Sequence, residues 1–331
     1  MKYCSSILRR AGSMSLAAAL CLATTTAITT QAAYAQAGGG QLTLLVGFAA
    51  GGSADSIARI VGQRLGEKLG RNVVVENRPG AGANIATKTV VQSQPDGNTL
   101  LVTTAALPIN ETLYKNKGFS GPSLMPISIV ATTPEVFAIN VNDKAKTLAE
   151  FVAQNKDKEI HFATAGIGTG SHIAGEYFFK FLAKANAKHI PFRGGPDATN
   201  AVLGGHVPMV ISSLSGFAAQ VAGGKLKGLG VATEARNPVI KDVPTFAEIG
   251  HPGFTSLSWV GFFAPPGTPK DKVAEYNKHI DEISKEPAVV ERLKALGFDT
   301  MNGGVGDAEA FMTKEYAHWK KMVEALELRI D

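Results

Sequence analysis

The sequence predicts an α/β protein of two lobes, each built on a doubly wound sheet, with strands that cross between them. Three observations carry this. Short apolar strand patterns alternate with helical patterns, as they do in parallel sheets covered by helices on both faces. The alternation begins twice, near Leu42 and again near Thr147, each time with a glycine-rich turn after an early strand. An apolar, aromatic run from Phe254 to Phe263 then precedes a helical C-terminal stretch, and reads as the chain returning to the first lobe. The expected organisation is a leader over residues 1–35, a first lobe of 36–134 with 258–331, and a second lobe of 135–257.

The leader comes first. Lys2, Arg9 and Arg10 form a basic start, Ala11 to Ala27 carries no charge, and Ala33-Tyr34-Ala35 supplies small residues for cleavage. That order is a secretory signal peptide, with cleavage expected after Ala35. Its apolar core is short and rich in Thr, which argues against a membrane anchor. Both cysteines, Cys4 and Cys21, lie in this segment, so the mature chain is expected to hold no disulfide and no thiolate site. Removal of the leader takes three positive charges and no negative ones, so the formal charge of +5 becomes +2. No basic run or aromatic-basic interleaving remains to suggest nucleic acid. Roughly 296 residues remain, enough to bury their own cores.

In the first lobe, Leu42-Thr43-Leu44-Leu45-Val46 reads as a buried strand that Gly51-Gly52-Ser53 ends. Ile57, Ile60, Val61, Leu65 and Leu69 then recur at helical spacing, with Ser53 as the expected cap. Val73 to Val75 is a strand, Asn84 to Val91 a helix, Pro95-Asp96-Gly97 a turn and Leu100 to Val102 a third strand. A long extended run follows from Pro126 to Val141. In the second lobe, Thr147-Leu148-Ala149-Glu150 has the form of a capping box. His161 to Thr164 is a strand, and a helix is expected from Ser171, with Ser171 as its cap. His189–Phe192, Met209–Ile211 and Leu226–Ala232 are further strands. Thr268-Pro269-Lys270-Asp271 opens a helix with Pro at its first position, and Pro287–Leu296 and Ala308–Leu326 continue the helical end.

Two segments stand out chemically. In the first, Phe48, Ala49, Ala50, Gly51, Gly52, Ser53 and Asp55 join a strand to a helix. Glycines let backbone N–H groups approach a ligand, and a helix N-terminus carries free donors and partial positive charge, so an anion can sit there without an arginine. Asp55 is counted among the site residues, as a cap or hydrogen-bond partner of the loop rather than a direct contact of the anion, since like charges repel. Gly166, Gly168, Thr169, Gly170, Ser171 and His172 repeat the design, although His172 reads first as a surface residue and second as a ligand contact. Two such turns facing each other would hold the ends of a small carboxylate. The alternative for each is a plain strand-to-helix turn. Arg193-Gly194-Gly195-Pro196-Asp197 offers charged groups or a solvated turn.

Signatures of catalysis are missing. The glycines at 166, 168 and 170 lack the dinucleotide spacing, and there is no phosphate loop, nucleophile elbow or H-E-x-x-H. The seven histidines are scattered singly, which gives no metal-site pattern.

Longer stretches identify a resemblance. Ala50-Gly51-Gly52-Ser53-Ala54-Asp55, Glu76-Asn77-Arg78-Pro79-Gly80-Ala81-Gly82, Pro95-Asp96-Gly97-Asn98-Thr99-Leu100, Val243-Pro244-Thr245-Phe246-Ala247-Glu248 and Ala264-Pro265-Pro266-Gly267-Thr268-Pro269 occur in this order. Together they resemble the Bug-type, or TctC, solute-binding proteins of tripartite tricarboxylate transporters, over essentially the whole mature chain. The resemblance implies a Venus-flytrap fold, type II-like among periplasmic binding proteins, and a periplasmic location. It implies a carboxylate held between Phe48–Asp55 and Gly166–His172, delivery to a two-subunit membrane permease, a monomer, and no cofactor. Asn84, Thr104, Ala105, Ala106, Arg193, Gly194 and Asp197 join the pocket by position. Gly47 and Ala49 stand where the family usually has prolines, which predicts a freer loop and a smaller rim able to admit a bulkier or aromatic acid. His206-Val207-Pro208 replaces a segment that usually carries a carboxylate. The competing readings are a sensor component that presents a bound carboxylate to a signalling receptor, and a secreted enzyme, for which no nucleophile–base pair is visible.

Overall fold

The structure, a computed structural model, describes residues 40–331. The expected leader, its cleavage point and both cysteines lie outside the described residues. The chain begins with β1 (Leu42–Val46), whose leucines and valine are buried against helices on either face, as a central parallel strand requires. Helix α1 (Ser53–Leu69) buries Ile57, Ile60, Val61 and Leu65 on that sheet. Then come β2 (Val73–Asn77), α2 (Asn84–Val91), β3 (Thr99–Thr104) and α3 (Ala106–Leu113). The long strand β4 (Met125–Asn140) leads into α4 (Leu148–Gln154), β5 (Ile160–Thr164), α5 (Gly170–Tyr177), β6 (Ala187–Pro191), α6 (Gly195–Leu203), β7 (Met209–Ser213), α7 (Ala218–Ala222) and β8 (Leu226–Val231). The chain ends with β9 (Leu257–Ala264), α8 (Lys270–Ser284), α9 (Pro287–Ala295), the short β10 (Asp299–Thr300) and α10 (Val305–Leu326).

The strands run β2-β1-β3-β9-β4-β7-β5-β6, with β8 and β10 also pairing β4. Within each half, β1, β2 and β3, and β5, β6 and β7, are parallel. The two halves meet on β4. Its stretch from Met125 to Pro134 pairs β9 antiparallel, and from Glu135 onward it pairs β7 and β8. The sequence suggests two sheets joined by crossing strands; here β4 belongs to both, so the halves share one curled sheet. Each face of each half has its own apolar cluster. Leu44, Ile57 and Ile280 mark one in the first half, and Phe137, Phe162 and Phe246 mark one in the second.

Local signals explain the boundaries, with three corrections. Thr147 caps α4 as expected, its Oγ1 accepting from Glu150 N–H at 3.1 Å, while the Glu150 carboxylate reaches back to Lys146 N–H at 2.7 Å. Ser53 is not a cap: α1 begins at Ser53 and Gly52 takes the N-cap position. Ser171 is not a cap either, because Thr169 precedes it at the N-cap and its Oγ1 accepts from His172 N–H at 3.3 Å. Pro269 sits at the N-cap of α8 rather than inside its first turn.

Candidate functional site

The corner of the first loop at Gly47 is set by packing rather than by looseness. A Cβ at Gly47 would lie 2.3 Å from the Ala83 Cβ, so only glycine fits between the loop and the turn after β2. Packing against Ala83 accounts for the glycine at this position, and Gly47 lines the outer groove described below. Phe48 is buried, and its carbonyl accepts from Asn77 Nδ2 at 3.0 Å. The same amide donates to Asp55 Oδ1 at 2.9 Å, which explains why the Glu76-Asn77-Arg78 stretch matters to a loop distant in sequence.

Asp55 is a hydrogen-bond partner of the loop. Its Oδ2 accepts from Gly51 N–H at 2.8 Å and from Arg59 Nε at 2.9 Å. Burial pulls the pKa of this carboxyl up, but the hydrogen bonds from Arg59, Gly51 and Asn77 outweigh burial and hold it below the ordinary value. Asp55 is a brace behind the loop.

The second loop is braced differently. Thr169 Oγ1 donates to Gly166 C=O at 2.8 Å and lies 3.0 Å from Ser171 Oγ. His172 is buried, which corrects the surface reading. Its Nδ1 accepts from Gly168 N–H at 3.2 Å and its ring stacks on His189 with centroids 4.1 Å apart. Burial pushes the His172 pKa down to about 4, so the ring is neutral and positions the loop.

The two loops face each other across the halves, and the halves touch. Ala49 N–H donates to the Arg193 carbonyl at 3.0 Å. Gly82, held at φ 61°, lies so near the Ile167 carbonyl that a Cβ there would stand 2.2 Å from that oxygen.

Two spaces result. An outer groove of about 720 Å³ is lined by Phe48 and Gly80–Ala83 on one side and by Gly166, Arg193 and Asp197 on the other. An inner cavity of about 30 Å³ lies behind it and shares Phe48 and Ala165. Gly52, Ser53 and Thr104 of the first half line the inner cavity, as do Thr169, Gly170 and Ser171 of the second. Three helix starts meet there: Ser53 begins α1, Gly170 begins α5 and Gly195 begins α6. The N–H groups of Ser53, Gly170, Ser171 and Gly195 have no acceptor among the described residues. Orphan donors and helix dipoles aimed at one space favour an anion in it. The lining contains no Lys, Arg or His. The inner cavity of about 30 Å³ has room for about two waters and adjoins the far larger outer groove through Phe48 and Ala165.

Several expected residues stand elsewhere. Ala50 and Gly51 are exposed at the tip of the first loop and line neither space. Asn84 starts α2 outside both, and Ala105 and Ala106 are buried beneath the end of β3. Gly168 packs on Asn110, and Gly194 packs on Ala49. Glu135, Ser212, Ser213 and Ser258 line the inner cavity and are not among the residues the sequence singles out. The available signals are faint: one acid inside an otherwise uncharged sixteen-residue strand, and a run of serines at the end of β7. Among the described residues no group of acidic, His or Cys side chains could hold a metal ion, and no helix is long and apolar enough to cross a membrane.

The family model TctC, described as tripartite tricarboxylate transporter family receptor, matches residues 57–328. A protein of Pseudomonas sp. strain P51, described as the UPF0065 protein in the tcbD-tcbE intergenic region, is 33% identical over 288 residues, 85% of each chain. The structure of periplasmic binding protein BugD is 31% identical with a TM-score of 0.83, covering 88% of this chain and 99% of that one. R. palustris Rpa4515, solved with adipate, is 25% identical with a TM-score of 0.84, covering 88% and 98%.

Proposed function

Because the chain belongs to the tripartite tricarboxylate transporter receptor family of periplasmic solute-binding proteins, we propose that it captures a small organic carboxylate between two lobes and hands it to a two-subunit membrane permease. In this reading the lobes are residues 36–134 with 258–331, and residues 135–257. The step of β4 from β9 to β7 at Pro134–Glu135 supports that division. The protein works as a monomer and performs no chemistry on its cargo.

The observation that carries the reading is the convergence of three helix N-termini on one small inner cavity that has no basic side chain. Such a seat binds carboxylate oxygens through backbone N–H groups and the hydroxyls of Ser53, Thr104 and Ser171, and leaves no fixed cation to trap the ligand permanently. The adipate held by a relative of the same fold supports an organic acid as cargo. Arg193 and Asp197 on the outer groove are first contacts for an arriving ligand. Closure is driven by the ligand's greater affinity for the closed arrangement.

A thermal-shift screen of residues 36–331 against aliphatic and aromatic mono-, di- and tricarboxylates tests this. A ligand at about 100 times its Kd adds about 2.7 kcal/mol to apparent stability. The shift should vanish in Gly170→Val, whose side chain would fill the inner cavity and press on Glu135. A protein that arrives empty and responds to no acid would refute the reading.

A further inference from the structure

Glu135 is the one ionisable side chain lining the inner cavity. It stands on β4 at the step between the halves. Its neighbour Pro134 pairs Leu257 of β9, and Glu135 itself pairs Ser213 of β7. The backbone is fully engaged: its N–H donates to Ser256 C=O at 3.0 Å, and its carbonyl accepts from Ala232 N–H at 2.9 Å. The residue is 2% exposed, and its Oε2 has no hydrogen-bond partner among the described residues. Its Oε1 would lie 3.0 Å from a Cβ at Gly170, so the acid lies against the start of α5.

Resting on the carboxylate reading above, we propose that Glu135 contacts the ligand as a neutral acid, donating its O–H to a ligand carboxylate oxygen, so that each ligand bound requires one proton held by the protein.

The surroundings leave this as the favoured state. Strands β7 and β9 carry no ionisable side chain. On β8, Lys227 is turned away and donates to the carbonyls of Asp143 and Ala145. On α5, His172 is engaged with Gly168 and His189, and Glu176 lies 3.8 Å from the far nitrogen of His172. On α1, Asp55 and Arg59 pair with each other. On and beside α6, Asp197 and Arg193 face the outer groove. No cation therefore reaches Glu135, and burial pushes its carboxyl up to about 8. In that form it has one O–H donor, the group a carboxylate needs, and the resulting O–H···O⁻ bond is of the short, strong kind. The partial positive charge of the α5 N-terminus favours an anion nearby, and the ligand supplies that anion without ionising the protein.

The sign of the pH dependence follows. Below the Glu135 pKa the proton is already present and carboxylate affinity is flat. Above it, binding must recover a proton, so affinity falls about tenfold per pH unit. A ligand ammonium facing Glu135 would need the ionised acid and would show the opposite slope.

The test is calorimetric titration of residues 36–331 from about pH 6 to about pH 9.5, in two buffers of different ionisation enthalpy, with adipate, succinate and ε-aminocaproate. The proposal expects a diacid to bind with uptake approaching one proton at the alkaline end and with falling affinity. Glu135→Ala should lower affinity at every pH, and Glu135→Gln, which keeps an N–H donor in place, should restore binding with a flat profile and no proton uptake. Tighter binding at higher pH, preference for ε-aminocaproate, or an unchanged pH profile in Glu135→Gln overturns the proposal while the carboxylate-capture reading of a diacid binder stands. If none of the three compounds binds, the infrared difference between empty wild type and Glu135→Gln at neutral pH decides. A protonated-carboxyl C=O band supports the neutral acid, and its absence overturns it. Failure of every acid in the broader screen falls on the proposed function instead.

Discussion

Replacing Gly82 by alanine should open the empty protein. The closed arrangement brings the Gly82 Cα so near the second half that a methyl group there would stand 2.2 Å from the Ile167 carbonyl oxygen. That obstacle is backbone and cannot rotate away. Two costs follow, and they differ in which states carry them. Alanine at φ 61° costs about 1–2 kcal/mol in open and closed forms alike, and so appears as lost stability. The steric overlap exists only when the halves touch, and overpacking of this kind costs about 1–3 kcal/mol. The second term shifts the closed-to-open ratio about 5- to 150-fold toward open. Small-angle scattering of the ligand-free protein reads the result directly, as a larger radius of gyration in the variant with a modest fall in unfolding midpoint. A scattering curve that superposes on the wild type, with stability lowered as expected, would refute the argument. It would show that the halves do not meet at Gly82 and Ile167 in solution.

Two other expectations use different levers. Ala49→Pro removes the N–H that donates to the Arg193 carbonyl, a net loss of about 0.5–1.5 kcal/mol from closure, so scattering should move in the same direction as for Gly82→Ala but by less; a variant more closed than wild type would contradict it. Asp55 has a folded pKa below its ordinary value, so its stabilising contribution is present above the unfolded pKa and is lost as pH falls through the folded one. Urea unfolding should therefore show Asp55→Asn less stable at neutral pH, with the gap closing under acid. Because the Arg59 side chain is 52% exposed, most of that gap belongs to the Gly51 and Asn77 hydrogen bonds rather than to the ion pair.

The elements are legible in the sequence where a residue's role depends on near neighbours. The apolar run of β1, the helical spacing of Ile57, Ile60, Val61 and Leu65, and the Thr147 cap all act within a few residues of chain. The anion-favouring turns at Gly52–Ser53 and Thr169–Ser171 are legible for the same reason, although the caps fall one or two residues earlier than the serines suggest, because Gly and Thr compete with Ser for that position. Roles set by distant chain are hidden. Glu135 reads as an ordinary polar residue of a strand until β4 is seen to change partners beside it. His172 reads as exposed until His189 is placed under its ring. Gly47 reads as flexible until Ala83 occupies the space its side chain would need.

The sharing of β4 by both halves has a mechanical consequence. A joint made of loose linkers swivels, whereas a continuous strand hydrogen-bonded on both sides of Pro134 bends like a leaf spring. Any movement of one half against the other therefore has to flex this paired strand. The cargo's contacts with the closed form then supply the bias between the two shapes, and the strand supplies the path between them.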